Sequence, residues 1–257
     1  GYRVIDPDTG PLAVGEGEGP GRLPEPEAIA LHVARALAKP SPLAGRTVVV
    51  SAGATREPLD PVRFISNHST GRMGVAIARA AWLRGANVTL VEGATEVEPP
   101  HGVAVTHVGT TQEMATAIER LVPSSDVLIM AAAPADFRPA RVALGKIKKW
   151  NAPRELQLAE TPDILVSSIP YRRAGMIVVG FALETENLVQ HARVKLQHKQ
   201  LDLVVANRAG AEGEGFGSDT NRVTFVTASA SEELPMLSKD DVADAILDRV
   251  ENLLDGR

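Results

Sequence analysis

The sequence predicts an α/β fold, doubly wound around a mostly parallel sheet. Three observations carry this. From Arg46 onward, short apolar runs alternate with helical patterns. The run Asp126–Ala132 (DVLIMAA) is apolar throughout, as in a parallel strand covered on both faces. The run Thr47–Val50 leads through small residues into a helical pattern at Val75–Trp82, which is how an open α/β sheet makes a nucleotide site.

Residues 1–45 read differently from the rest. Gly15–Gly21 is too Gly-rich and acidic to bury a core and is expected to be flexible linker. Pro26–Lys39 is expected as a short amphipathic helix with Ile29, Val33 and Leu37 on one face, closed by Pro40 and Pro42. Together they suggest the tail of a preceding domain or a tether to one. Strand one follows at Thr47–Ser51, then a helix over Arg72–Arg84 ended by Gly85. Ser69 and Thr70 are its candidate N-caps, and Gly71 and Gly74 let a backbone or a phosphate come close. Asn87–Glu92 and Val103–Val108 are strands, Thr110–Leu121 is a helix, and Asp126–Ala132 is the next strand. Met176–Gly180 leads to a helix over Asn187–Gln197, and Leu203–Ala206 is a further strand. Gly215–Asn221 reads as a turn, Arg222–Thr227 as a sheet-edge strand, and Asp240–Leu254 as a final amphipathic helix.

Composition narrows the function. A net charge of -5 in 257 residues argues against binding nucleic acid through its phosphates. The absence of cysteine removes disulfides, thiolate metal sites and a cysteine nucleophile, and fits a cytoplasmic protein. No apolar run is long enough to span a membrane, and no signal-peptide pattern opens the chain. The opening Gly1-Tyr2-Arg3 suggests a fragment of a longer protein.

Ligands of such sheets bind beyond the carboxyl ends of the strands, so the residues after each strand are the informative ones. The first loop carries Arg56, Glu57, Asp60, Arg63, Asn67 and His68, unusually dense chemistry for a connection. A dinucleotide-binding dehydrogenase fits poorly. Ser51–Thr55 lacks the G-x-G-x-x-G spacing, and Glu92, although it ends strand two where a ribose-binding acid would sit, follows Gly53 at well beyond the fingerprint's spacing. After DVLIMAA, the small residues Ala132, Ala133 and Pro134 allow a flat base or ribose to lie against the backbone. Asp136 next to Phe137 could bind ribose, a basic group or Mg²⁺, or simply form a turn. Lys146-Ile147-Lys148-Lys149, in an acidic chain, reads either as a triphosphate-binding run or as a solvated basic loop, on a segment able to act as a lid. Asp163 caps a helix or reaches a metal. Phe181 is core or a stacking wall, and Glu184 binds substrate or caps the next helix. Asn207, at a strand end, can donate to and accept from a ligand amide. The histidines lack metal-ligand spacing, and no Ser-His-Asp order has a G-x-S-x-G context. What remains suits positioning and charge stabilisation on a nucleoside triphosphate.

The motifs GATREPLDPVRFISNHSTGRMG (53–74), AAAPADFRP (131–139), KIKK (146–149), TPDI (161–164), GFALET (180–185) and AN (206–207) occur in order. Together they closely resemble bacterial phosphopantothenoylcysteine synthetase, over about residues 46–254. Residues 46–257 would form that domain. Residues 1–45 resemble the end of the flavin-dependent phosphopantothenoylcysteine decarboxylase domain to which it is usually fused, plus linker. The departures are Ser51–Thr55, where a G-G/P-T pattern is commoner, and Arg208 after Ala206-Asn207.

The resemblance implies a Rossmann-like sheet with a small antiparallel extension used for dimerisation. It implies a CTP-dependent ligase joining 4′-phosphopantothenate to L-cysteine through an acyl-cytidylate, with Mg²⁺, and with FMN only in the upstream decarboxylase domain. Asn67 matches a residue that holds the acyl-cytidylate, Arg63 one needed for the second half-reaction, and Lys146 one needed for the first. Ser69, Gly71 and Gly74 would bind phosphate. Ala132, Ala133, Asp136, Phe137, Lys148 and Phe181 would line the nucleotide pocket, Asn207 would bind substrate, and Asp163 would serve a cation. A homodimer through this domain is implied, in a larger homo-oligomer with the decarboxylase, with substrate sites near the dimer contact and a lid able to come from the neighbouring subunit.

Overall fold

The computed structural model describes residues 2, 4–13, 15, 17–151, 155–208 and 218–256. Its centre is one eight-stranded sheet. In chain order the strands are β1 (Thr47–Ala52), β2 (Asn87–Glu92), β3 (Ala104–His107), β4 (Val127–Met130), β5 (Ile177–Glu184), β6 (Leu203–Arg208), β7 (Val223–Val226) and β8 (Ser231–Glu233). They lie in the order β3-β2-β1-β4-β5-β6-β7-β8. The first six pair in parallel, and β7 and β8 are added antiparallel. This is the doubly wound nucleotide-binding order with an antiparallel extension, as expected. The strand expected at the sheet edge, here β7, lies one place inside it, because Ser231–Glu233 pairs along its outer side.

Six α-helices are described: α1 (Pro26–Leu37), α2 (Arg72–Leu83), α3 (Thr111–Leu121), α4 (Ile164–Ser168), α5 (Leu188–His198) and α6 (Lys239–Asp255). Alternation along the strands divides the core. Val48 and Val50 of β1 face α2 and α6, while Val49 faces the layer built by α3, α4 and α5. Apolar contacts with Ile77 and Ala81 of α2 and Val242 and Ile246 of α6 fill the first side. Arg84, at the end of α2, ties the two helices by reaching Asp244, Asp248 and Glu251 at 3.0, 2.7 and 3.2 Å.

Several sequence expectations change. Gly15–Gly21 is not simple linker, because Glu18–Arg22 pairs antiparallel with Asp8–Pro11. α1 docks through a different face from the one expected. Ala28 is buried and Leu31 packs on the core, while Val33 and Leu37 stay 50% and 79% exposed. The reason lies in Arg35, which donates to the carbonyls of Trp82, Gly85 and Ala86 at the end of α2 and stacks on the Trp82 ring. These carbonyls lie at and just beyond the helix end, where acceptor capacity is left over, so the guanidinium fixes how α1 lies. α2 is preceded by Gly71 in the left-handed region (φ 75°), rather than by a capping Ser69 or Thr70 side chain. The loop after β1 contains a hairpin, Arg56–Pro58 with Phe64–Ser66. Phe137–Pro139 likewise pairs with Leu158–Glu160. β5 continues past Gly180 to Glu184 because β6 runs equally far beside it, pairing Phe181 with Val205 and Glu184 with Arg208. Glu184 therefore ends a strand and pairs with His191 at 2.9 Å instead of capping α5. Of the expected Gly215–Asn221 turn, residues 215–217 lie outside the described residues, and Thr220–Asn221 pairs with Leu237–Ser238.

Candidate active site

The strand order reverses between β1 and β4, and the loops leaving those two strands are fastened together there. Ala133 N–H donates to Gly53 O at 2.8 Å, and Ala132 N–H to Ser51 Oγ at 3.1 Å. The buried Thr55 hydroxyl accepts from Ala135 N–H at 2.9 Å and lies 2.8 Å from the Thr111 hydroxyl. Ala135 O in turn accepts from Thr111 Oγ1 and Thr161 Oγ1, at 3.2 and 2.6 Å. The buried Glu57 carboxylate holds Thr111 N–H at 2.8 Å, fixing the start of α3. These bonds lie outside the sheet ladder and satisfy polar groups that would otherwise be orphaned. They set residues 131–136 as a rigid wall.

Beside that wall opens a cavity of about 600 Å³. The start of α2 forms one end. Its first ladder bond runs from Val75 N–H to Gly71 O, so the amides of Arg72, Met73 and Gly74 precede any intrahelical acceptor. They sit where a helix attracts anions. A Cβ on Gly71 would lie 2.4 Å from the Thr95 side chain. A Cβ on Gly74 would lie 2.6 Å from Ser51 O and from Ala52 Cβ, so Gly74 is required for close packing of α2 on β1.

The cavity gathers most of the residues expected from sequence. Ser69, Gly71 and Gly74 line the helix end, and Ala132, Ala133 and Asp136 line the wall. Asn67 also lines it, donating from Nδ2 to Pro134 O at 2.9 Å. Phe181, Asp163 and Asn207 complete the set. Asn207 Oδ1 is buried and has no hydrogen-bond partner among the described residues, so it is an acceptor available to a ligand donor.

Four cations in the cavity escaped the sequence reading: Arg72, Lys195, Lys199 and Lys239. Lys195 and Lys199 stand four apart on α5, a spacing visible in the sequence, yet nothing there said which face of α5 meets the site. Lys195 donates to Phe181 O. Burial lowers its pKa, and the Lys199 charge adds to the effect. Lys199 pairs with Asp163 at 2.8 Å.

Asp163, expected to serve a cation, has other partners in this structure. Its carboxylate caps α4 by accepting from Val166 N–H at 3.2 Å and is held by Lys199. Burial alone would raise its pKa, but Lys199 lowers it. Among the described residues, no group of three His, Cys, Asp or Glu side chains is placed to hold a metal ion. The Glu92 carboxylate, the ribose position of a dinucleotide fold, is buried and bonded to Thr95 and His107 at 2.9 and 3.1 Å.

Arg63, Phe137, Lys146 and Lys148 do not line the cavity. Lys146 and Lys148 are exposed, on a segment tied to the hairpin loop after β1. The tie is Asp60, whose carboxylate accepts from Arg63 Nε at 3.0 Å, from Val62 N–H at 2.8 Å and from Ile147 N–H at 3.1 Å. Arg63 also donates to Ile147 O at 2.9 Å. The Arg63 guanidinium holds the Asp60 carboxyl far below the usual carboxylate range.

A model of the DNA/pantothenate metabolism flavoprotein C-terminal domain matches residues 43–254. The chain is 43% identical over 272 residues to the coenzyme A biosynthesis bifunctional protein CoaBC of Mycobacterium tuberculosis (strain ATCC 25618 / H37Rv), covering 100% of this chain and 65% of that protein. It is 43% identical over 254 residues to the protein of the same name from Bacillus subtilis (strain 168), covering 97% of this chain and 62% of the relative. The chain thus spans a little under two thirds of the length of these curated relatives. Among solved structures, it resembles a crystal structure of the C-terminal domain of CoaBC with a TM-score of 0.72 and 36% identity, over 84% of this chain and 100% of that one.

Proposed function

Because the chain belongs to the DNA/pantothenate metabolism flavoprotein C-terminal domain family, we propose that it is a CTP-dependent ligase joining 4′-phosphopantothenate to L-cysteine in coenzyme A biosynthesis. The observation that carries the reading is the cavity at the strand-order reversal. It combines helix amides without intrahelical acceptors, a rigid peptide wall of small residues and four cations.

Such a site positions substrates that react with one another. A carboxylate oxygen of 4′-phosphopantothenate attacks the α-phosphorus of CTP. The new P–O bond gives the acyl-cytidylate, the bond to the bridging oxygen breaks, and pyrophosphate leaves. The cysteine amine then attacks the acyl carbon, forming the amide. The C–O bond breaks, CMP leaves with the electron pair, and the amine proton passes to solvent. The α2 amides and the lysines counter the charge that develops on the phosphates. Asn67, anchored on Pro134 O, holds the acyl-cytidylate. The backbone of Ala132 and Ala133 receives the nucleotide with Asp136 and Phe181, and Asn207 binds a substrate donor. Mg²⁺ accompanies the CTP phosphates in this reading, while Asp163 caps α4 and holds Lys199.

Arg63, Phe137, Lys146 and Lys148 act, in the same reading, in the cavity of a second copy. Support comes from the apolar side chains on the segments that carry them. Phe64, Phe137, Leu144 and Trp150 are at least half exposed on one chain. Apolar surface of this kind on protruding hairpins suits a homodimer. Residues 1–45 are then the tail of an FMN-dependent decarboxylase domain and its linker, and the whole is a cytoplasmic bifunctional enzyme of larger homo-oligomeric state. Among the described residues, no helix is long and apolar enough to cross a membrane.

The test is pyrophosphate release by the purified chain with 4′-phosphopantothenate and Mg²⁺, comparing CTP with ATP, with and without L-cysteine. The reading expects release with CTP and cysteine amide only when cysteine is present. Lys146→Gln should abolish the first step, and Asn67→Asp should impair handling of the acyl-cytidylate. Binding of CTP without any pyrophosphate release in the wild-type chain contradicts it.

A further inference from the structure

At the α5 wall, Lys199 is paired with Asp163, and Asp136 and Glu184 add negative charge near Lys195. At the α2 end, Arg72 and Lys239 face each other closely enough to repel, with the Asp219 carboxylate beside them. That carboxylate is 87% exposed, so water screens much of its charge.

The two basic residues are each the first residue of a helix, the 12-residue α2 and the 17-residue α6. The start of α2 carries no acidic side chain in its first turn and contributes positive potential there, whereas Asp240 and Asp241 in the first turn of α6 offset its share. The segment before β7 bridges them. Arg72 Nη1 pairs with Asp219 Oδ1, Lys239 Nζ donates to Ser218 O, and Lys239 N–H donates to Asp219 O at 3.0 Å. These bonds hold both heads at the cavity, where both residues and Asn221 are lining. Arg72 Nε is buried and lacks any partner among the described residues. A buried guanidinium donor without an acceptor is uncommon and points to an acceptor that binds there. Burial, reinforced by the Arg72 charge, lowers the Lys239 pKa, and a bound anion would relieve both effects.

We propose that Arg72 and Lys239 form an anion subsite continuous with the α2 amides, and that it receives the pyrophosphate end of the nucleoside triphosphate. This rests on the reading of the cavity as a nucleotide site. A forked guanidinium next to an ammonium suits the closely spaced oxygens of a di- or triphosphate. The subsite holds the leaving group as the bond between the α- and β-phosphates breaks, so charge appears on pyrophosphate where two cations already stand.

The test is calorimetric titration of wild type, Arg72→Gln, Lys239→Arg and Asp219→Asn with CTP, CMP and inorganic pyrophosphate in turn, and separately with 4′-phosphopantothenate. Arg72→Gln should weaken CTP and pyrophosphate about tenfold or more, the scale of a lost charge-assisted hydrogen bond, and leave CMP nearly unchanged. Lys239→Arg keeps the charge and should retain pyrophosphate binding. Asp219→Asn should tighten pyrophosphate by removing the competing carboxylate, a direction that a purely structural role for the cluster would not produce. Equal weakening of CTP and CMP by Arg72→Gln, or no change in either, overturns the proposal. So does a loss confined to 4′-phosphopantothenate, which would assign the cations to the acid's phosphate. If the wild type binds pyrophosphate at this site but neither nucleotide, the ligase reading fails and the subsite stands. If it binds CTP indifferently to Arg72, the subsite fails and the ligase reading stands. If it binds none of the three, both fail.

Discussion

Replacing Thr55 with Val removes one hydroxyl and almost no volume, so it isolates the bonds that fasten the loop after β1 to the loop after β4. Thr55 is fully buried, and Ala135, whose N–H it accepts, is 3% exposed. In Thr55→Val that N–H loses its only recorded acceptor in a place water does not reach, which costs about 1–3 kcal/mol. Thr111 loses its 2.8 Å partner but keeps Ala135 O at 3.2 Å, so its share is smaller. A net loss of about 2 kcal/mol lowers the Tm of a domain this size by roughly 4–8 °C. Urea unfolding should show a reduced midpoint at constant m-value. The wall at 131–136 loses one anchor, so CTP affinity should fall as well. Thr55→Ser keeps the hydroxyl and should retain CTP affinity. A Thr55→Val protein as stable as wild type, binding CTP normally, refutes the claim that this hydroxyl shapes the site.

Gly74→Ala should destabilise although alanine is the better helix former by about 1 kcal/mol. The added Cβ meets backbone atoms of Ser51 and Ala52 at 2.6–2.9 Å, and overpacking of that kind costs about 1–3 kcal/mol. Thermal unfolding decides, and a raised Tm would contradict the packing role. For Lys195, whose pKa is depressed by burial, a bound polyanion restores the charged form. Nucleotide binding should therefore take up a proton only where the pH approaches the lowered value, and should weaken as pH rises through it, before the ordinary lysine value of 10.5. The same depressed pKa makes this residue's contribution to folding improve over that pH window. Titration in buffers of different ionisation enthalpy measures the uptake, and Lys195→Met should abolish it. Asp60→Asn should release Arg63 and Ile147 together, seen as faster amide exchange at Ile147 with the sheet unaffected. Arg63 depresses the Asp60 pKa, so the pair's stabilisation is complete above the ordinary carboxylate value of 3.8 and is lost only as pH falls below it. The stability difference between Asp60→Asn and wild type should be flat at neutral pH and shrink in strong acid.

The central strands could be read from sequence because burial on both faces leaves continuous apolar runs such as DVLIMAA. The start of α3 was marked too, and Thr110 and Glu113 form a reciprocal capping box there. The hairpin Arg56–Pro58/Phe64–Ser66 was not visible. Its strands have three residues each, too few for a period, and distant groups hold them, including Gly109 O and Thr111 N–H. Within the cavity, Asn67, Ala132, Ala133 and Asp136 could be found because they follow strand ends, where topology puts ligands. Lys195 and Lys239 could not, because they lie on helices that reach the cavity only through the winding of the chain. The Lys146–Lys149 charge run was conspicuous, yet its exposed position depends on the buried Asp60 tie, which no local pattern encodes.

The central claim is that the carboxylate of one substrate attacks the nucleotide and that CMP later carries its oxygen away. The most direct test uses 4′-phosphopantothenate labelled with ¹⁸O in its carboxylate, incubated with CTP, Mg²⁺ and L-cysteine, with mass spectrometry of the products. The account predicts one labelled oxygen in the phosphate of CMP for each amide formed. Amide formed with unlabelled CMP, or label appearing in pyrophosphate or inorganic phosphate, would contradict it.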